Sequence, residues 1–305
     1  MQPTNNRQSK KERAFTLIEH LVVIAIVGIL AGLAVVNMSG ATEAARIAKL
    51  KVYSNSIRSS LMGNRVSEWK FDEGAGTTTA DTVGTNNGVL TNFNFSGSSN
   101  WKTGAECVSG NCLSFDGSND YVDYNSNPNL NITDTITIEA WVKPMGSTYR
   151  AIIGKGDGSP TTESYLFNIG TDNSLQLYMT LNGVGSGWQT SSGTVANSLW
   201  SHVVAIYNGS KIIFYINGAK SGELSKTGSI YVSSNNFKIG KQGSATNYFN
   251  GSIDEVRIYS AALTASAIRD QYVAGLDKLL AKGQITNEDY QQRIASLNLT
   301  YAIDK

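Results

Sequence analysis

Apolar and polar positions along this chain follow three successive patterns. Residues Phe15–Met38, FTLIEHLVVIAIVGILAGLAVVNM, are almost wholly apolar, with no charged side chain between Leu21 and Thr42. Some 20 helical residues, rising about 1.5 Å each, cross a bilayer core of roughly 30 Å, so this run predicts a membrane-spanning helix. From Ser39 to Arg65 the helical spacing persists but turns amphipathic: Ala44, Ile47, Leu50, Ile57 and Leu61 recur among Glu43, Arg46, Lys49, Lys51 and Arg58. One continuous helix over 15–65 follows, its second half packing an apolar stripe on the next domain or on neighbouring helices.

After Asn64 the period changes to two. Thr135–Lys143 places Ile136, Ile138, Ala140 and Val142 on one face and Thr137, Glu139, Trp141 and Lys143 on the other. Trp200–Tyr207 and Lys211–Ile216 are joined by Asn208-Gly209-Ser210, and Asn217-Gly218 follows, which are hairpin-turn residues. Further strands are predicted at Val66–Phe71, Cys112–Phe115, Tyr121–Tyr124, Tyr165–Ile169, Leu175–Thr180, Asn236–Gly240 and Gly251–Tyr259. Many short strands without intervening helices predict an all-β, two-sheet sandwich. Helical spacing returns over Thr264–Lys282, with Ile268, Tyr272, Leu276, Leu279 and Leu280 on one stripe. Gly283 ends that helix, and Thr286 opens another with Asp289 as its capping partner. The expected fold is therefore a long N-terminal α-helix, an all-β sandwich and a short C-terminal α-helical hairpin. The boundaries are 1–14 for a leader, 15–65 for the helix (15–38 transmembrane), 66–262 for the sandwich and 263–305 for the hairpin.

Composition sharpens parts of this picture. The 305 residues carry 25 Lys and Arg against 24 Asp and Glu, a formal net charge of +1, which gives no reason to expect a nucleic-acid partner. The 30 Gly against 4 Pro suit many tight turns. Cys107 and Cys112 are the two cysteines, on the side of the apolar helix that would be exported. A disulfide closing so short a loop constrains the unfolded chain by about 2 kcal/mol, and an exported compartment permits it; the alternative is a pair of free thiols. Residues Met1–Ala14 carry Arg7, Lys10, Lys11 and Arg13 against one Glu12, which holds that end in the cytoplasm. A Sec signal peptide shares the basic start and apolar core, but its core is usually shorter and has no use for Glu19.

The segment Phe15-Thr16-Leu17-Ile18-Glu19 resembles the processing site of type IV pilins and pseudopilins. The resemblance implies a prepilin peptidase that cuts between Ala14 and Phe15 and methylates the new N-terminus, with Glu19 as the fifth mature residue. Ala14 stands where Gly is usual, and His20 replaces the usual apolar residue. A carboxylate inside a membrane helix costs roughly 2.5–3.5 kcal/mol near the centre unless paired. The family supplies a partner in the methylated amine of a neighbouring subunit, so Glu19 would set the register of assembly.

The segments WKFDEGAGTTTADTVGTNNGVL (Trp69–Leu90), LSFDGSNDYV (Leu113–Val122), TIEAWVKP (Thr137–Pro144), WSHVVAIYNGSKIIFYINGA (Trp200–Ala219) and FNGSIDEVRIYSAALTASAI (Phe249–Ile268) resemble laminin-G-like, concanavalin A-like domains, implying a jelly-roll sandwich. Such domains serve as sugar-binding modules and adhesins, and related sandwiches are glycosidases. Hydrolysis needs two carboxylates about 5 to 9 Å apart. The E-x-D-x-x-E strand of laminarinase-type enzymes is missing, Glu139 alone is insufficient, and His202 reads as a packed structural residue. A non-enzymatic role is expected. Trp141, Tyr178 and Trp188 are the candidate ligand face, since aromatic rings stack on sugars; otherwise Trp141 and Tyr178 cover the sheet and Trp188 pins a loop. The resemblance also implies a structural calcium ion held by Asp116, the carbonyl of Gly117 and Asp254, with Asp72 a further donor, unless Asp116 and Asp254 cap turns. Leu276–Leu297 resembles the short helical hairpin called SHOCT, which either mediates oligomeric contacts or packs on the sandwich.

The functional expectation is a pilin-like or pseudopilin-like surface subunit that displays a lectin-like domain for adhesion, binding a glycan or a surface protein. Its partners would be the peptidase, other pilin subunits and, through a single-pass helix, the membrane. The precursor would sit in the cytoplasmic membrane with the leader inside and the C-terminal domain exported, then reach the cell surface or a pilus. The alternative is a membrane-anchored carbohydrate-active protein that never enters a filament.

Overall fold

Alternating segments form strands wherever one face is covered and the other is polar, and the computed structural model describes this for residues 63–303, apart from Ser98, Ser126 and 244–246, with side chains through Leu297. The expected leader and helix, with Ala14, Phe15, Glu19 and His20, lie outside the described residues. The strands are β1 (Arg65–Trp69), β2 (Thr78–Thr79), β3 (Gly88–Thr91), β4 (Asn100–Lys102), β5 (Cys112–Asp116), β6 (Tyr121–Tyr124), β7 (Ile136–Pro144), β8 (Arg150–Lys155) and β9 (Tyr165–Ile169). They continue with β10 (Ser174–Leu181), β11 (Val184–Gly185), β12 (Gln189–Thr194), β13 (Ser201–Tyr207), β14 (Lys211–Ile216), β15 (Ala219–Ser225), β16 (Phe237–Ile239) and β17 (Asn250–Tyr259). Two helices close the described chain, α1 (Ala265–Ala281) and α2 (Asn287–Ile303).

The strands build two antiparallel sheets of jelly-roll type. The first runs β15-β14-β13-β7-β17-β5-β4, with β1 also paired to β17; the second runs β11-β10-β9-β8-β16-β6-β3-β2, with β12 also paired to β10. Ile136, Ile138, Ala140 and Val142 of β7 face inward, as their alternation predicts, and meet Phe167, Leu175, Leu177, Phe237 and Ile239 of the other sheet in one buried cluster. Each of these side chains except Ala140 contributes about 1.5–3 kcal/mol on burial. Trp69 stacks on Phe237 within that core, with centroids 5.1 Å apart. Strand β8 lies outside the expected strands: it is buried at every position, yet Arg150, Gly154 and Lys155 leave only Ala151-Ile152-Ile153 as an apolar signal. The Asn217-Gly218 turn joins β14 to β15 with both residues at positive φ, 52° and 75°, as a two-residue hairpin of this twist requires.

In the β1–β3 connection, Asp81 accepts backbone N–H bonds from Glu68, Val83, Gly84 and Asn86 at 2.9–3.1 Å. The acid of that motif is thus a loop organiser.

The tail behaves as its spacing predicts. Thr264 accepts from Ala267 N at 3.2 Å and caps α1, Gly283 ends it at φ 68°, and Thr286 and Asp289 cap α2 reciprocally at 3.0 and 3.1 Å. The hairpin packs on the outer face of the first sheet. Tyr272, Leu276 and Leu279 of α1 and Leu297 of α2 join Trp141, Trp200, Val108 and the two cysteines in a second buried cluster. Cys107 and Cys112 form a disulfide. Its loop is pinned from both sides: Trp200 Nε1 donates to the Glu106 carbonyl at 2.9 Å, and Lys282 Nζ donates to the Cys107 carbonyl at 3.1 Å.

Candidate functional site

The outer face of β7 is closed to ligands. Trp141 is 2 % exposed, its ring stacked on Tyr272 of α1 at 5.8 Å and 20°. The expectation that Trp141 belongs to a ligand face is therefore corrected; it is the surface on which the C-terminal hairpin sits. Period-two alternation puts Trp141 outward, but outward here means beneath a helix contributed some 130 residues later.

Next to it lies a buried polar network that the alternation of apolar and polar positions does not reveal. Arg257 on β17 donates to Glu139 Oε1 at 3.0 Å and to Glu68 Oε1 at 2.8 Å, and also pairs with Glu255. His202 Nε2 meets Glu139 Oε1 at 2.9 Å, and Tyr259 donates to Glu139 Oε2 at 3.3 Å. Gln271 of α1, its amide nitrogen turned inward, donates to the same carboxylate. Burial works against the charged form of Glu139, but Arg257 and His202 outweigh it and hold its carboxyl below the usual range. Glu139 is 1 % exposed and committed to these partners, which removes it as a hydrolytic acid. His202 is fully buried, as a packed structural histidine should be. The signal that could have revealed the network was acidic and basic residues at outward positions of neighbouring central strands.

The four expected metal donors do not converge. Asp116 pairs in register with Asn250, while Asp254 lies four residues further along β17, roughly 13 Å away at about 3.3 Å per residue. Asp116 accepts from Ser118 N at 2.8 Å and caps the β5–β6 turn, where Gly117 takes φ 78°. Its neighbour Asp120 is pushed up to about 6, first by burial and then by the nearby Asp116. Asp254 is buried and accepts from Ser109 N at 3.0 Å; burial and the charge of Glu255 push its carboxyl up. Asp72 accepts from Asn111 N at 3.0 Å. Asp72 and Asp254 thus hold the disulfide loop, Asp116 holds a turn at another point, and these residues do not fit one calcium ion. Among the described residues, no three His, Cys, Asp or Glu side chains lie close enough to hold a metal.

Tyr178 and Trp188 do come together, and on the surface. The rings pack at 5.4 Å with a 60° tilt, leaving Trp188 39 % exposed beside Val184 at 69 %. Three bonds fix the pair. Tyr178 donates to the Pro160 carbonyl at 2.8 Å. Ser186, two residues before Trp188, donates its N–H to the Met179 carbonyl at 2.7 Å and accepts from Met179 N at 3.0 Å. An aromatic platform on a loop tied to a sheet loses little entropy on binding. Behind it Glu163 is buried, and burial raises its carboxyl to about 7. A separate polar cleft of 530 Å³, lined among others by Arg65, Asn131 and Ser260, sits where the chain enters the sandwich.

Residues 116–269 match the family described as the concanavalin A-like lectin/glucanases superfamily, a span that covers half of the chain. The chain belongs to that superfamily. The first strands and the hairpin frame this lectin-like region, and residues 9–35 match the prokaryotic N-terminal methylation motif. A curated relative is the adhesion G-protein coupled receptor V1 of Danio rerio, 27 % identical over 147 residues, which are 46 % of this chain and 2 % of the receptor. Among solved structures, domain 4 of AbnA, an extracellular arabinanase from Geobacillus stearothermophilus determined with arabinotriose, superposes with a TM-score of 0.53 at 20 % identity, covering 68 % of this chain and 97 % of the domain. The binding domain of Paraclostridial Mosquitocidal Protein 1 gives 0.56 at 16 % identity, covering 71 % of this chain and 53 % of that one. The ligand-binding domain of botulinum neurotoxin serotype D, determined with N-acetylneuraminic acid, gives 0.54 at 14 % identity over 72 % and 53 %. The chain thus spans about half the length of those toxin domains, and the likeness is one of fold. A prepilin-type motif and a lectin-like domain thus lie on one chain. No helix among the described residues is long and apolar enough to cross a membrane.

Proposed function

We propose that this lectin-like chain is a pilin-like surface subunit that binds a glycan at Tyr178 and Trp188. The observation that carries the binding half is the fixed, exposed aromatic pair, since a ring face presented to solvent on a rigid loop stacks on the apolar face of a sugar. The likeness to a domain determined with arabinotriose supports a saccharide as the ligand class. The display half rests on the methylation motif over 9–35, with cleavage after Ala14, the mature chain beginning at Phe15, and Glu19 pairing with a neighbouring subunit's amine in the filament.

Two measurements check this reading. Mass analysis of the mature N-terminus should give a methylated Phe15; an intact Met1, or a cut beyond the apolar run, overturns the pilin assignment. In a printed glycan array probed with the full chain, Trp188→Ala should lose binding at least tenfold, about 1.4 kcal/mol or more, with the melting temperature unchanged. Binding that survives both Trp188→Ala and Tyr178→Ala removes the pair from the site.

A further inference from the structure

The outer face of the second sheet carries a further group of side chains that the aromatic pair does not use. Lys241 Nζ lies 4.6 Å from the centroid of the Tyr121 ring and 5.2 Å from that of Tyr248, and Lys238 Nζ lies 5.9 Å from Tyr121. Lys241 and Tyr248 face each other across an isolated bridge, so the ammonium is held between two rings by backbone pairing as well as by the cation–π attraction. Lys238 reaches the Gly243 carbonyl at 3.4 Å. All four residues are half-buried. Among the described residues neither lysine forms an ion pair: Asp123, opposite Lys238 in the ladder, accepts instead from Asn236 at 2.8 Å. Glu163 feels the charge of Lys238 but is itself buried.

This group shares a face with the aromatic pair. Lys238 is in register with Gly154, Gly154 with Leu166, and Leu166 with Tyr178. Lys238 and Tyr178 are therefore three strand spacings apart, about 14 Å at about 4.8 Å each. Between them lie Gly154 and the buried side chain of Leu166. Gly154 has no side chain, the Lys241 carbonyl lies 2.8 Å from where its Cβ would be, and Gly243 abuts Gly158 in the same way. Two residues further along the same strands, on the same face, the buried amide oxygens of Asn168 and Gln176 have no donor among the described residues.

We infer that the ligand of this face is an acidic oligosaccharide, whose one end stacks on Tyr178 and Trp188 and whose carboxylate pairs with Lys238 and Lys241. The inference rests on the glycan reading given above and narrows it. Two ammonium groups without an ion-pair partner among the described residues, set by aromatic rings at one end of this face, complement a carboxylate on a hydroxyl-rich chain. A neutral sugar would leave them unanswered. A hydrogen bond to a charged group is worth about tenfold or more in affinity.

The test is an array on which lactose is printed beside sialyllactose, and methyl-esterified tetragalacturonate beside tetragalacturonate, probed with the full chain and with Lys238→Gln, Lys241→Gln and the double variant. Acidic members should be bound at least tenfold more tightly than their neutral counterparts. Each single variant should lose about tenfold on the acidic members alone, and the preference should weaken with added salt. Equal binding of acidic and neutral members, lost in Trp188→Ala, overturns this inference and leaves the glycan reading standing. No binding to any member overturns both. Acidic preference that persists in the double variant assigns the carboxylate elsewhere and overturns the role of the two lysines.

Discussion

Replacing Arg257 by methionine is expected to destabilise the sandwich by about 3–5 kcal/mol at neutral pH. The guanidinium lies among three carboxylates, those of Glu68, Glu139 and Glu255, and its side chain is only 15 % exposed. Methionine fills much of the volume but leaves three buried acids without their shared cation. The loss is bounded because each acid keeps other partners: Glu68 has Arg65 at 2.7 Å, Glu139 has His202 and Tyr259, and Glu255 has Lys278 at 3.3 Å. The pH dependence follows from the same geometry. Burial opposes the charge on Glu68 and on Glu139, yet hydrogen bonds and the Arg257 charge hold both carboxyls below the ordinary 4.5. A carboxyl depressed in the folded state contributes stability that is present above the unfolded value and disappears as pH falls through the folded one. Without Arg257, burial dominates and the carboxyls rise, so protonation relieves the variant. Urea unfolding should therefore show the largest deficit near pH 7 and a smaller one near pH 4. A deficit that is constant with pH would mean that lost packing, and not the acids, carries the effect.

That network also marks the limit of what the sequence showed. The strands with one apolar face were legible, and several, such as Tyr121–Tyr124, Tyr165–Ile169 and Lys211–Ile216, match to the residue. So were both caps of the tail. Burial on both faces does not hide Tyr165–Ile169 or Ser201–Tyr207, but in β8 only Ala151-Ile152-Ile153 is apolar, between Arg150 and Gly154-Lys155, too short a run to give a pattern. The candidate site was legible in part. Tyr178 and Trp188 lie only ten residues apart across a short hairpin, and the structure brings them together. Trp141 carried the same chemical signal, but its fate depends on α1, and period two along β7 holds no information about what a distant helix will cover. The Asp116, Gly117, Asp254 and Asp72 set fails likewise, because register along β17 separates residues that motif order places side by side. Lys238 falls within the expected strand Asn236–Gly240 and Lys241 just after it, but nothing in their spacing marks either as a site.

The docking of the C-terminal hairpin turns on one missing side chain, and its test has a sign that discriminates. In a helix interior alanine is favoured over glycine by about 1 kcal/mol, so propensity alone expects Gly275→Ala to stabilise α1. The structure expects the reverse. A Cβ on Gly275 would lie well inside 3.0 Å of two atoms of the Trp141 ring, and that ring is buried against Tyr272 and His202 with nowhere to retreat. Overpacking of this kind costs typically 1–3 kcal/mol, occasionally more. Gly275→Ala should lower the melting temperature, by about 2–4 °C for each kcal/mol in a domain of this size, and Gly275→Leu should lower it further by lifting α1 off the sheet. Lifting α1 withdraws Gln271 from Glu139 and uncovers Trp141, so tryptophan fluorescence should shift to the red in the leucine variant while the far-ultraviolet strand signal persists. Combining Gly275→Ala with Trp141→Phe separates the two contributions: the smaller ring should recover part of the loss, giving a coupling between the positions that independent sites do not show. A rise in melting temperature for Gly275→Ala would instead mean that Trp141 yields freely, and with it that the hairpin is held by Leu276, Leu279 and the disulfide loop, not by the close approach of helix to ring.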